Sequence, residues 1–203
     1  MYALVENNQI TKLINNPKSL VIGDVRYPTK IFQLWSKSEL NNIGIYEVIT
    51  DSSNKKDEAY YINTNEEYNF ADNQVTRSWG TATPKRLEDE DAVNEDGEIV
   101  LDEDGNKVIN YGLKTQKKRI VKQQASGLLA PTDWHVVKAT EVADYNVPDN
   151  ITTYRANVRA KSNEMETQID SCTNVDELKA LYEYTKQEDE TIKRPLAEFP
   201  KEI

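Results

Sequence analysis

An α+β fold is predicted for this 203-residue chain, with a small β-rich N-terminal domain, an acidic hairpin-like arm and a C-terminal bundle of short helices. Three observations predict it. Residues 1–84 carry short runs rich in β-branched and aromatic residues, bounded by Asn, Asp, Gly and Pro. Residues 112–185 carry apolar positions spaced by threes and fours. Between them, ten carboxylates and no Lys or Arg fall between Glu88 and Asp104.

The first domain is read element by element. "YALVE" and "ITKLIN" flank the polar "NNQ", where Asn tolerates the positive φ of a tight hairpin. "SLVIGDVRYP" reads as a further strand closed by Pro28, and "KIFQLW" follows it. "SKSELNNIG" predicts a short helix, with Ser36 and Glu39 as a capping box and Gly44 at the C′ position. "IYEVIT" and "AYYINT" have strand composition. A last hairpin is expected around Ala71–Asp72–Asn73–Gln74.

Residues 85–111 form the arm or linker. "DGEIVL" at 96–101 and "DGNKVI" at 104–109 form a short repeat, each an Asp-Gly turn before an apolar triplet. A hairpin-like arm is therefore expected in place of a solvated tether. Carboxylates that repel one another should leave it mobile until a partner or a basic surface completes it.

In the helical domain, 112–185, Leu113, Ile120, Val121, Leu128 and Leu129 are expected on one stripe of the first helix. Lys114, Lys117, Lys118, Arg119 and Lys122 lie opposite, as a candidate interaction surface. Pairing with the acidic arm, in the same chain or a neighbour, is their expected use. "APTDW" reads as the joint to the next helix. Pro131 stops the first helix, Thr132 caps the second, and Trp134 plugs the corner. A third helix, capped by Asp149 or Asn150, runs through Ile151, Tyr154, Val158, Met165, Ile169 and Cys172. Asn174 and Glu177 predict a capping box for a fourth. Residues 186–203 read as an extended tail, with Leu196 and Phe199 as apolar anchors beside Ile192 and Ile203, lying across a partner or a second copy.

Composition bounds function. Hydrophobic residues are 37% and charged residues 30%, which suits small layers and surfaces completed by partners. A net charge of −10 argues against non-specific nucleic-acid binding. One Cys and one His exclude a Cys/His metal cluster and a disulfide framework within the chain. No apolar stretch approaches the ~20 residues of a membrane span. "MYALVENNQITKLINN" has no basic region followed by an apolar run, so a signal peptide is not expected, and a reducing cytoplasm, or a particle assembled there, is the expected location.

Chemical motifs are weak. His135 has no Ser or Cys at a recognisable spacing, so no catalytic role is expected of it. With Asp102 first, a calcium loop needs Gly at its sixth position, where Lys107 stands. The 7 glycines form no phosphate-cradling motif. Asn150–Ile151–Thr152 reads as a helix start and not as a glycosylation site. Carboxylates in a solvated run lack the burial that tunes a catalytic pair, so neither an enzyme nor a cofactor is expected.

The blocks LLAPTDW (128–134), YRANVR (154–159) and VDELKAL (175–181) resemble the C-terminal helical domain of bacteriophage tail-fibre assembly or tail assembly chaperone-like proteins. "ALVENNQITKLINNPKSLVIGDVRYPTKIFQLWSKSELNNIGIYEVI" is similar to the start of such phage tail proteins. The acidic arm departs from the family's shorter pattern. The resemblance implies no catalytic residues. It implies a non-enzymatic virion tail subunit docking, in several copies, to fibre or distal-tail proteins. The aromatic residues Tyr60, Tyr61, Tyr68, Phe70 and Trp79 are candidate contacts, or else half of them form the core. A transient assembly chaperone and a carbohydrate-binding module at the tail tip are the alternatives.

Overall fold

The computed structural model describes residues 1–202 and has the α+β class expected. The chain divides into two compact units, Met1–Pro84 and a second that begins at Lys85.

The first unit is built on a curled five-stranded sheet, in the order β2-β1-β5-β8-β7. Its strands are β1 (Tyr2–Glu6), β2 (Gln9–Ile14), β5 (Ile45–Thr50), β7 (Glu66–Ala71) and β8 (Gln74–Trp79). Neighbours are antiparallel except β5 and β8, which are parallel. Both tight hairpins follow from local chemistry. Asn7 and Asn8 have φ of 52° and 63°, and Asp72 and Asn73 have 51° and 57°. Two-residue turns of this hand need positive φ at both positions, which Asn and Asp tolerate best after Gly.

The chain between β1–β2 and β5 folds over one face of the sheet. It holds the small hairpin β3 (Leu20–Ile22) and β4 (Val25–Tyr27), then the short helices α1 (Ile31–Leu34) and α2 (Lys37–Asn42). Leu4, Ile14 and Ile45 meet Ile31 and Leu40 on that face, while Ala3, Val5 and Val75 pack with Tyr46, Val48 and Phe70 on the other. The thin apolar content is thus spent on two small cores, one on each side of the pleat. The Ser36 hydroxyl accepts from Glu39 N at 3.3 Å, and the Glu39 carboxylate accepts from Ser36 N at 2.7 Å, so the expected capping box is present. Gly44 follows at φ +80°. A Cβ there would lie 2.6 Å from the Val5 carbonyl oxygen, so the close approach of the helix end to β1 requires glycine. The run "AYYINT" keeps only β6 (Tyr61–Ile62), paired with β9 (Thr83–Pro84).

The second unit begins with the arm, whose outer strands are β10 (Glu90–Asp91) and β11 (Ile109–Asn110). Then come α3 (Leu113–Leu129), a 3-10 turn (Ala130–Thr132), α4 (Asp133–Glu141), α5 (Asp149–Ser171) and α6 (Val175–Ala180). Helix α3 packs along α5, with Ala125, Tyr154 and Val158 forming the buried centre. The inward stripe of α3 is Leu113, Val121 and Ala125. Ile120, expected inside, is exposed. Adjacent positions are 100° apart on a helix, so Ile120 and Val121 do not share a face. Helix α5 begins directly after Pro148, without a side-chain cap from Asp149 or Asn150. Asn174 caps α6 by accepting from Glu177 N at 2.9 Å.

The tail is the clearest correction. It forms a hairpin of β12 (Thr185–Lys186) and β13 (Ile192–Lys193), then returns to its own helices. Leu196 is 2% exposed, its N–H donates to the Leu181 carbonyl at 3.0 Å, and Phe199 packs on the Ala125–Tyr154–Val158 centre. Pro195 and Pro200 prevent a helix, as expected, but the side chains between them finish the fold of this chain and are not held out to a partner. Ile203 lies outside the described residues.

Candidate functional site

The joint between α3 and α4 is where the resemblance blocks meet. Leu128 and Leu129 end α3, and Pro131 enters the 3-10 turn, where its missing N–H costs no helical bond. Thr132 does not cap α4. Its hydroxyl donates instead to the Leu129 carbonyl at 2.8 Å and is itself buried. Arg155, from α5, fills the corner. Its Nη1 donates to the Leu129 carbonyl at 3.0 Å and to the Thr132 hydroxyl at 2.6 Å, and pairs with the Asp133 carboxylate at 2.8 Å. The neighbouring Tyr154 hydroxyl donates to the Leu128 carbonyl at 3.4 Å. LLAPTDW and YRANVR are therefore two halves of one hydrogen-bonded lock.

Trp134 is not the plug. It is 54% exposed, against 8% for Arg155. Its ring stacks on His135, centroids 3.7 Å apart, and lies 6.5 Å from Tyr145. His135 Nδ1 is 2.5 Å from the Tyr145 hydroxyl, and the Lys138 ammonium sits 4.4 Å from the Tyr145 ring centre. Helix α4 buries none of its residues, and Trp134, Val136, Val137 and Val142 all face solvent. The Arg155 lock thus aims an apolar, aromatic helix outward.

The acidic arm is more regular than its sequence repeat suggested. Asn94 N donates to Glu98 O at 2.9 Å and Asp102 N to Asn106 O at 2.8 Å, closing two successive tight hairpins with Gly97 and Gly105 at positive φ. Each tip is held by its first side chain. The Asn94 amide oxygen accepts from Asp96 N and Glu98 N, and the Asp102 carboxylate accepts from Asp104 N and Asn106 N. Residues 92, 100 and 108 close a ring: Ala92 N donates to Val108 O at 2.8 Å, Val108 N to Val100 O at 2.9 Å, and Val100 N to Ala92 O at 2.8 Å. Val93, Ile99 and Leu101 stand exposed around it, among the carboxylates.

Counter-charges come from outside the acidic run. Lys107 pairs with Asp91 at 2.6 Å, Lys114 with Glu88 at 2.5 Å, and Arg86 with Glu90. The arm also caps α3. The Asp89 carboxylate accepts from Gly112 N at 2.8 Å and from the Thr115 hydroxyl at 3.0 Å, while Leu113 N and Lys114 N donate to the main-chain carbonyls of Arg86 and Leu87. Sequence reasoning missed both Asp89 and Arg155. The available signal for Arg155 was its place beside Tyr154 on an otherwise apolar stripe.

The basic residues of α3 are shared out, not gathered. Lys114 serves the arm, Lys118 and Lys122 pair with Asp170 and Glu166 of α5, Lys117 lies over the Tyr182 ring, and Arg119 lies over Tyr111. The aromatic candidates separate as well. Tyr60, Tyr61 and Trp79 are buried in the first unit, while Tyr68 and Phe70 are half-buried on β7. Burial pushes the Cys172 thiol up in pKa, which leaves it un-ionised at neutral pH. Among the described residues no group of three or more His, Cys, Asp or Glu could hold a metal ion, and no helix is long and apolar enough to cross a membrane. Comparison with protein-family models, curated proteins and solved structures finds no match.

Proposed function

We propose that this chain is a non-enzymatic structural or assembly protein of a bacteriophage tail, docking to a tail fibre or to the distal tail. The observation that carries the docking mode is the uncovered face of α4. A nine-residue helix is marginal in water unless something covers it, and this one buries none of its own side chains. Its root is fixed by Arg155, so its apolar face is presented in one direction. That is the geometry of a helix laid into the apolar groove of a partner, with Trp134 and Val137 as anchors. The tail assignment itself rests on the resemblance of LLAPTDW, YRANVR and VDELKAL, whose first two blocks build this lock.

The test pairs incorporation with stability. Val137→Asp should leave the thermal melt of the isolated protein unchanged and abolish its recovery in purified particles by mass spectrometry. Full recovery of the variant would remove α4 from the docking role. Recovery of the parent chain in assembly intermediates but not in finished particles would make it a transient chaperone instead of a subunit.

A further inference from the structure

The first unit holds a cleft of about 330 Å³ lined by residues of α2, β5 and the β7–β8 turn, within the range of small-ligand sites, roughly 300–1,000 Å³. We infer that this cleft binds a neutral saccharide unit, with Trp35 and Tyr2 as its aromatic wall against the sugar ring and Asn73 and Gln74 meeting its hydroxyl groups. The inference stands apart from the docking role of α4 and uses none of its residues.

The aromatic walls are held from behind. Tyr2 packs on Phe32 with ring centres 5.0 Å apart, and Trp35 on Tyr27 at 5.9 Å. Both rings of the wall are therefore held in place by a second ring. The Trp35 indole N–H, the Tyr2 hydroxyl and the Asn73 amide have no hydrogen-bond partner among the described residues. The Gln74 amide nitrogen donates only a long 3.3 Å bond to Thr76, which leaves its oxygen as an acceptor. Aromatic faces carry negative charge density and attract the polarised C–H groups of a pyranose. Amide and hydroxyl groups supply both donors and acceptors for its hydroxyls.

Charge selects a neutral ligand. Lys37 and Glu47, both lining the cleft, are paired at 2.5 Å and cancel. Among the lining residues the remaining formal charge is that of Asp72, which disfavours a phosphate or a carboxylate. Asn73 and Gln74 are placed by the β7–β8 turn. Its two positive-φ residues lift the start of β8 over the cleft without using the Asn73 side chain.

The experiment is a titration of the full chain, labelled with nitrogen-15, with d-glucose, d-galactose, d-mannose and N-acetyl-d-glucosamine at millimolar concentration. The three indole signals are assigned with Trp35→Phe. At least one sugar should shift the Trp35 indole and Asn73 signals in a saturable way, leaving Trp79 and Trp134 unmoved. Asn73→Gly suits the φ of 57°, so it should keep the turn while weakening binding about tenfold, the loss expected for one hydrogen bond. Gln74→Ala gives the same reading should the glycine slacken the turn. The inference is overturned by unresponsive spectra with all four sugars, or by shifts of equal affinity in both variants. Saturable shifts with triglycine and none with the sugars would overturn it too, making the cleft a peptide groove.

Discussion

Arg155 Nη1 lies 2.6 Å from the Thr132 hydroxyl oxygen, and both side chains are buried. One guanidinium thereby meets a carbonyl, a hydroxyl and a carboxylate at the turn that joins α3 to α4. Removing it takes from the buried Thr132 hydroxyl its donor and from the Leu129 carbonyl one of its two. Arg155→Met should cost about 1–3 kcal/mol, the range for leaving a buried polar group without its partner, because the Asp133 side chain is 59% exposed and no buried charge is left behind. Trp134→Ala should stay within about 0.5 kcal/mol, as an exposed substitution does. Chemical unfolding of both variants decides between them. A Trp134→Ala loss of several kcal/mol alongside a silent Arg155→Met would restore Trp134 as the plug.

Leu196 supplies the second prediction. It is fully buried, Gln168 brackets it by donating to the Pro195 carbonyl and accepting from Ala197 N, and its own N–H reaches Leu181. Leu196→Ala should destabilise the isolated protein by about 2–5 kcal/mol, the usual range for a buried leucine. A tail that served only a partner would leave the urea midpoint of the free chain where it was.

How far the fold could be read in advance follows the range of the forces. Asn7–Asn8 and Asp72–Asn73 were legible because positive φ is a property of two adjacent residues. The Ser36–Glu39 box was legible because both partners lie within one helical turn. The corner at 130–133 was legible as a corner, from Pro131, but its filling was not. By residue type Trp reads as core and Arg as surface, and only the arrival of Arg155 on α5, 23 residues after Thr132, reverses them. Leu196 was misplaced for the same reason: its partner Gln168 lies on another element, and proline spacing carries no information about it. The eight-residue repeat of the arm was visible, while the closure of Ala92, Val100 and Val108 into a ring is a long-range event.

The cap of α6 makes stability pH-dependent. Glu177 is held below its ordinary value of 4.5 by hydrogen bonds from the Thr173 main chain first, then from the Thr173 hydroxyl and the Asn174 amide. A carboxylate depressed in the folded state contributes stability that is present above the unfolded value and is lost as pH falls through the folded one. Glu177→Gln should therefore melt below the parent at neutral pH, and the gap should close in acid, below the ordinary value. A gap of constant size from neutral pH into that acid range would show that the ionised form is not what the cap uses.

The last prediction concerns the ring of the acidic arm. Ala92, Val100 and Val108 each donate to one member of the ring and accept from the other, so each segment is tied to both of the others and loosening one loosens its hold on two neighbours. The three amides should exchange with solvent at similar, slowed rates, while the tip amides of Glu95 and Glu103, outside the ladder, exchange fast. Gly105 has φ +81°, a conformation costing an L-residue about 1–2 kcal/mol. Gly105→Ala strains only the second hairpin directly. Because the ring is shared, it should speed exchange at Ala92 as much as at Val108, without touching Val121 in the buried stripe of α3. The opposing force is charge, since ten carboxylates repel across the same few residues, answered in part by ion pairs to Arg86, Lys107 and Lys114. Added salt screens that repulsion over a Debye length of about 8 Å at physiological ionic strength. It should therefore slow exchange at the ring amides of the free chain. Ring amides that exchange as fast as unprotected peptide at every salt concentration, and gain protection only in assembled particles, would mean that the exposed Val93, Ile99 and Leu101 need a partner's surface before the arm folds at all.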